Sequence, residues 1–451
     1  MKRLFLAAAS VVALGTHADM FRDGDRVVFM GDSITYMGYY VRTIADYYIT
    51  RFPDRDIRFF QRGKGGSRLS HAIESYGRAV EPVKPTVVTT MFGMNDINRF
   101  LYNGQATTDE QIAQQRLELA EYGENLRKLD ALIDAKSASP RRYYLTPTPY
   151  FDTADKRANV ERHLGANAGL GACAAMVRAA CTEHGGTLVD LNAAFDAFIR
   201  RWKGPDSRFV TGWDRVHPQE AGHLLMAYVF LKSQNADSIV SDVRFQDGRP
   251  ICAINAEVSN VATLADGGVA FDLKERALPL PLRKNGSELM QAELPLGDEL
   301  SQELVTFYVP DGNWMLSIDG APVVTADANT WAKGVNLSFN ENTPQYAQAQ
   351  RVAAAVLEHM DFGRLVGCGK WEWAEASFKR ELKDKADDPA ARKAYVDSLP
   401  QSLRAQRPML DVVSEYWGRK EDAHRRLEDG FAALRKLATP VSHHYELKKK
   451  D

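Results

Sequence analysis

Four short stretches of this 451-residue sequence gather the side chains that could carry covalent chemistry. In VVFMGDSITYMGYY the apolar run Val27 to Met30 stops at Gly31-Asp32-Ser33 and leaves a hydroxyl at the end of a hydrophobic segment. In FFQRGKGGSR, Gly63, Gly65 and Gly66 allow close backbone approach and present N–H groups to a ligand. MFGMNDIN puts Asn95 and Asp96 behind another apolar run, and GWDRVHPQEAGH puts Asp214 three residues before His217. A serine hydroxyl becomes a good nucleophile when an imidazole takes its proton. A carboxylate on the other ring nitrogen then fixes the tautomer and stabilises the imidazolium. An oxyanion needs donors already aimed at it, which an amide side chain and backbone N–H groups can supply. Each stretch alone has a plainer reading. Asp32 or Ser33 could simply cap the helix whose pattern follows in YYVRTIADYYIT.

These stretches gain meaning from the elements that must position them. Over the first 235 residues, short apolar runs at Arg26–Met30, Asp56–Gln61, Thr86–Phe92, Arg142–Thr146 and Thr187–Asp190 alternate with helical patterns. The helical stretches include Glu110 to Ala135, Ala168 to Glu183 and the segment EAGHLLMAYVFLKSQ. Such alternation predicts a parallel sheet covered on both faces. Ligands of open α/β sheets bind beyond the carboxyl ends of the strands. The first three polar clusters fall at that edge, and the fourth follows the last strand. Composition changes after residue 238. Turn signals QDGR, ADGG, KNGS, PDGN and IDGA separate β-branched and aromatic runs such as LVTFYV and NWMLSID, predicting a small antiparallel β region. From Thr343 the chain is helical and densely charged, a pattern that reads as solvated helix faces.

The balance of 57 basic and 59 acidic residues, net charge −2, gives no electrostatic case for nucleic acid or an anionic membrane. MKR, the apolar run Leu4 to Leu14 and Thr16-His17-Ala18 resemble the three parts of a secretory signal peptide. That run is too short to span a membrane, and no later segment reaches the roughly 18 continuous apolar residues a span needs. A soluble protein, secreted or periplasmic, is expected. Of the four cysteines, Cys173 and Cys181 share one helical segment, about 12 Å apart at helical rise and too far to bridge. Cys252 with Cys368 stays an open pairing. No cluster has metal-ligand spacing, and Gly63-Lys64-Gly65-Gly66-Ser67 lacks the spacing of a P-loop.

In order and spacing, GDSI, the glycine-rich second block, GMND and DRVHP resemble the four blocks of the SGNH (GDSL-type) hydrolase family, over roughly residues 24 to 235. The resemblance implies a three-layer α/β/α sandwich on a five-stranded parallel sheet and a serine esterase that works without cofactor or metal. It assigns Ser33 as nucleophile, His217 as general base and Asp214 as the residue that orients His217. The oxyanion hole it implies comprises the Ser33 N–H, the Gly66 N–H and the Asn95 side-chain amide. One departure is that the second block, which often opens with Asn, here holds Gln61. Ser33 does not belong to a G-x-S-x-G elbow, because Thr35 stands where the second glycine is needed.

Other residues have structural readings beside the functional ones. His223 reads as packing or capping, and Asp32 and Asp96 as makers of structural hydrogen bonds. Tyr36, Tyr39, Tyr40, Tyr150 and Trp213 suit either an acyl or sugar pocket or the core, and the sequence does not separate these. The expected division is a signal peptide at 1–18, a catalytic domain at 19–237, a β-rich region at 238–342 and a helical region at 343–451. The expected function is an exported esterase cleaving small acyl esters, O-acetyl groups on a carbohydrate before others. A lipolytic acylhydrolase or lysophospholipase is one alternative, and a glycan-binding protein with a decayed site is another.

Overall fold

The computed structural model describes residues 20–151, 163–201, 212, 214–367 and 370–450. The expected signal peptide, Trp213 and Cys368 lie outside the described residues. Five strands form the first sheet: β1 (Arg26–Gly31), β2 (Arg58–Gly63), β3 (Val87–Met91), β4 (Arg141–Leu145) and β5 (Thr187–Val189). Their order is β2-β1-β3-β4-β5, and every pairing is parallel. The sheet is the one expected, with strand ends shifted by one or two residues. Strands covered on both faces are apolar on both, which is why VVFM and VVTTM read as runs without alternation. One layer holds α2 (Tyr39–Arg51) against the later helix Glu220–Ser233. The other holds α3 (Leu69–Ala79), α4 (Asp109–Lys136) and α5 (Ala166–His184), with α4 in contact with both of its neighbours. Strand order reverses between β1 and β3, where α/β sheets open a crevice at their carboxyl edge. Ser33 follows β1 and Asn95 follows β3, so both stand at that reversal.

Two further sheets follow. One has four strands, β6 (Ile239–Gln246), β7 (Arg249–Ile254), β10 (Gln302–Tyr308) and β13 (Val335–Asn336). The other has five and contains β8 (Ala256–Thr263), β9 (Val269–Glu275), β11 (Asn313–Ile318) and β12 (Ala321–Asp327). Their shared core is aromatic, with Phe245, Phe271, Phe307, Trp314, Trp331 and Tyr445 buried together. The expectation of a wholly antiparallel region is corrected at one pair, because β6 and β10 run parallel. A parallel neighbour needs a long crossover, and residues 247–301 supply one. KNGS lies in that crossover, ahead of a helix at Glu288–Glu293, and turns no hairpin.

The charged C-terminal helices are present, but the chain ends differently from the purely helical expectation. Residues Ser442–Lys450 form β14, which lies between β9 and β11 in the five-stranded sheet. Before it, the helix Pro344–Gly367 packs on β2, the edge strand of the parallel sheet, and on α2. The helix Lys420–Ala438 carries Glu428, which bonds Arg26 at 2.6 Å and Arg58 at 2.5 Å. Those two arginines begin β1 and β2, so the helix is clamped to the start of the sheet. Cys173, Cys181 and Cys252 are free thiols. Among the described residues, no helix is long and apolar enough to cross a membrane, and no group of three or more His, Cys, Asp or Glu side chains could hold a metal ion.

Candidate active site

The first strand delivers Ser33 through a tight turn. Asp32 caps the short helix α1 (Ser33–Met37), its carboxylate accepting the Ile34 N–H at 2.9 Å. Asp32 thus fills the capping role the plainer reading foresaw, while Ser33 occupies the first helical position half-exposed. Three contacts brace this turn from behind. Gln61 on β2 donates its amide to the carbonyls of Thr35 at 2.7 Å and Tyr36 at 2.6 Å. The Lys64 N–H donates to the Gly31 carbonyl at 3.1 Å. Thr35 and Tyr40 share a hydroxyl bond of 3.0 Å in the core. Gly63 is required where the two segments meet, since a Cβ there would fall 2.3 Å from the Tyr36 nitrogen. The Gln61 that departs from the usual second block is therefore a buried staple for the serine turn, a role with no signal in the sequence.

The fourth block closes on this serine. His217 Nε2 lies 2.7 Å from Ser33 Oγ, and His217 Nδ1 lies 2.5 Å from Asp214 Oδ2. The other Asp214 oxygen accepts the backbone N–H groups of Val216 at 3.0 Å and His217 at 2.9 Å. Arg215 adopts φ +63, so the intervening turn is tight enough to face the carboxylate and the imidazole to each other. The 2.9 Å fit of a carboxylate to the backbone of the residue it serves explains why acid and base stand three positions apart. The Arg215 carbonyl accepts the Phe151 N–H at 3.3 Å, tying this turn to the loop after β4.

Electrostatics follow from these bonds. Burial alone would push the Asp214 carboxyl up, but the His217 side chain and the two backbone N–H groups hold it at about 2. The Asp214 hydrogen bond raises the His217 pKa; burial opposes it, as does the charge of Arg99, while Asp32 adds to the rise. Burial raises Asp32 to about 7, with the Ile34 bond working against the rise. A hydroxyl bonded to an imidazole that is itself bonded to an ionised carboxylate can be deprotonated during attack on an electrophile.

The two remaining blocks follow β2 and β3 at the same sheet edge. Asn95 donates one amide hydrogen to the Ser67 carbonyl at 3.0 Å, joining the third block to the second. Gly66 is exposed at φ +70, a backbone conformation that a side chain at that position would strain. Asp96 is buried and accepts the Leu69 N–H at 2.8 Å and the Gly93 N–H at 2.9 Å. It pins the start of α3 to the turn after β3, the structural role read for it. The four sequence blocks converge on one edge of the sheet.

The aromatic candidates divide. Tyr40 and Tyr150 are buried, whereas Tyr36 and Tyr39 are half-buried. The Arg364 guanidinium, from the C-terminal helix Pro344–Gly367, covers the Tyr36 ring at 4.7 Å. Arg42 likewise covers Tyr39 at 4.9 Å and pairs with Asp361 of that helix at 2.7 Å. The sequence offered no sign that residues more than 300 positions downstream back the tyrosines beside the serine. His223 is fully buried, stacks on Tyr40 with centroids 5.9 Å apart, and makes no bond to Ser33.

The chain is similar to known proteins in sequence and in fold. The GDSL-like Lipase/Acylhydrolase family matches residues 29–225. An acetylxylan esterase from Geobacillus stearothermophilus is 24% identical over 224 residues, covering 46% of this chain and 93% of that protein. Among solved structures, the gut microbial diltiazem-metabolizing enzyme BT4096 superposes with a TM-score of 0.81 at 24% identity, covering 96% of this chain and 99% of the other. A solved acetylxylan esterase from Geobacillus stearothermophilus gives a TM-score of 0.39 at 22% identity, over 48% of this chain and 96% of that one. The likeness to the first structure extends through the β sheets and the C-terminal helices, so the fold of the whole chain recurs there. Residues 29–225 are a GDSL-like lipase/acylhydrolase domain of the SGNH type, and the chain is a serine hydrolase acting on ester bonds.

Proposed function

We propose that Ser33, His217 and Asp214 form the catalytic triad of an exported esterase that removes small acyl groups, O-acetyl groups first, from a carbohydrate. The reading rests above all on the unbroken bond chain from Ser33 Oγ through both nitrogens of His217 to Asp214. In the proposed cycle, His217 Nε2 takes the hydroxyl proton as Ser33 Oγ attacks the ester carbonyl. Asp214 holds the resulting imidazolium, and the carbonyl oxygen becomes an oxyanion. The Ser33 and Gly66 N–H groups and the second amide hydrogen of Asn95 receive that charge. The first Asn95 amide hydrogen is already committed to Ser67, so the amide needs no reorientation. His217 then protonates the departing sugar hydroxyl, leaving an acyl-enzyme on Ser33. Water, deprotonated by the same imidazole, releases the acid and restores the serine.

Support for an acetylated carbohydrate comes from the acetylxylan esterase relative. Support for export comes from the signal-like MKR and the apolar run Leu4 to Leu14. The deciding experiment compares acetate released from acetylated xylo-oligosaccharides with fatty acid released from long-chain esters. Faster acetate release is the expected result. Preferential release of long-chain acid would move the protein to the lipolytic reading, and no release from either by the folded wild type would leave a binding protein.

A further inference from the structure

A cleft of about 460 Å³ runs between β2, α3 and the C-terminal helices, and Ser33, Asp214 and His217 are not among its lining residues. This is a volume typical of small-molecule sites. Its upper end is formed by Gly63 and Lys64, at the carboxyl end of β2. From there it passes Arg62 and Phe60 to Ser75 and Arg78 on α3, with Trp371 and Lys420 opposite. The loop that starts at Gly63 thus has two sides. Lys64 lines the cleft and its N–H holds the Gly31 carbonyl, two residues before Ser33, while the Ser67 carbonyl accepts from Asn95.

The charge of the cleft is uneven. Its lining carries Arg62, Lys64, Arg78 and Lys420 against Glu372 and Glu428. Both carboxylates are occupied: Glu372 by Lys420 at 2.6 Å, and Glu428 by Arg26 and Arg58 at 2.6 and 2.5 Å. Among the described residues, neither Lys64 nor Arg78 has a carboxylate within ion-pair distance, and both are exposed. Arg78 acts on Glu372 through its charge alone, without an ion pair, and Lys64 has no such neighbour, so cations outnumber carboxylates in one concave site of a chain whose net charge is −2. Cations lining a cleft focus the field and favour an anionic occupant, and guanidinium groups favour carboxylates in particular.

We propose that this cleft is a subsite for a carboxylate-bearing saccharide flanking the ester, seated on Lys64 and Arg78 and leading to the serine turn at the Lys64 end. This deepens the carbohydrate-esterase reading and rests on it. It makes the preferred substrate an acylated acidic glycan and gives the C-terminal helices, which form one wall, a part in recognition.

Binding of an ester-free ligand tests the subsite without turnover. The full-length wild type is titrated calorimetrically with de-esterified tri-galacturonate and, as a neutral control, with xylotriose. The acidic trimer is expected to bind more tightly than the neutral one and to weaken as salt rises from about 0.05 to 0.5 M. The double variant Lys64→Gln/Arg78→Gln should weaken it by about tenfold or more. Both positions are exposed, and circular dichroism confirms that the variant is folded. Equal affinity for the two trimers, no binding of the acidic one, or an unchanged constant in the double variant each overturns the subsite. None of these outcomes touches the esterase reading, which acetate release decides separately.

Discussion

Two histidines six residues apart in the sequence have opposite surroundings. His217 stands in a turn, bonded on one nitrogen to a carboxylate and on the other to a hydroxyl, and its pKa is raised. His223 stands inside the helix Glu220–Ser233, fully buried against Tyr39 and Tyr40, and burial lowers its pKa to about 3. The same side chain is made a proton acceptor in one place and a neutral packing ring in the other. What separates them is the partner of the ring and its access to water. Asp214 favours the imidazolium, whereas the apolar helix layer excludes it. A histidine near a nucleophile is thus assigned by its bonds and not by its proximity.

The sharpest break between the two is kinetic. Ser33→Ala and His217→Ala should each lower kcat by roughly 10⁴ to 10⁶, because members of such a unit fail together. The double variant should be little worse than either single one. His223→Ala should cost far less at saturating substrate. If His223→Ala proved the more damaging in a folded protein, the roles of the two rings would have to be exchanged.

Asp214→Asn sharpens the contrast by removing what distinguishes His217. The rate should fall by about 10⁴ through loss of tautomer control. The pH dependence should move as well. In the wild type the free imidazole is the active form, so kcat/KM should climb with pH through a pKa above the ordinary value of about 6.5. Without the carboxylate that limb should shift to lower pH, and with it the distinction from His223 should narrow. An unmoved limb in Asp214→Asn would show that another group supplies the rise. Next in size is Asn95→Ala, expected to reduce kcat by about 10² to 10³ with little change in KM, since its donor meets charge that develops only in the transition state. A change confined to KM would place Asn95 in ground-state binding instead.

The two rings also mark what the sequence could and could not reveal. The GDSI, GMND and DRVHP blocks were legible because strand ends and short turns carry their meaning locally. Asp214 reaches His217 within one turn, so both stood in one short block, whose roles the family resemblance supplied. The five strands were legible because burial on both faces leaves continuous apolar runs. Illegible were the features that depend on distant chain. Gln61 staples the serine turn from a neighbouring strand, and Arg364 covers Tyr36 from the C-terminal helix. Strand β14 was hidden for a compositional reason: in SHHYELKKK only Tyr445 and Leu447 face the core, too few to signal a strand amid the lysines. The parallel pairing of β6 with β10 was hidden because direction depends on a crossover, and hairpin signals within that crossover pointed the other way.

The smallest expected effect concerns His223 and appears in stability. Its pKa of about 3 in the folded chain lies below the roughly 6.5 of an unfolded histidine. The folded state therefore keeps the ring neutral while the unfolded state takes up a proton below about pH 6.5. The stability contribution is complete above that pH and is lost as pH falls from about 6.5 towards 3. At pH 5 the loss amounts to about 2 kcal/mol, the scale set by 1.36 kcal/mol per pH unit. His223→Phe keeps an aromatic ring against Tyr40 and forfeits only the Tyr40 N–H bond, which at 3.4 Å is long. The variant should retain kcat within about threefold at pH 8, since the ring is bonded to none of the triad. Its stability should be slightly lower than wild type near neutrality yet fall less steeply between pH 6.5 and 4.5 in urea melts. Parallel wild-type and variant curves over that range would mean that His223 takes up its proton in the folded chain as readily as in the unfolded one. The contrast between the two histidines would then rest on bonding alone and not on burial.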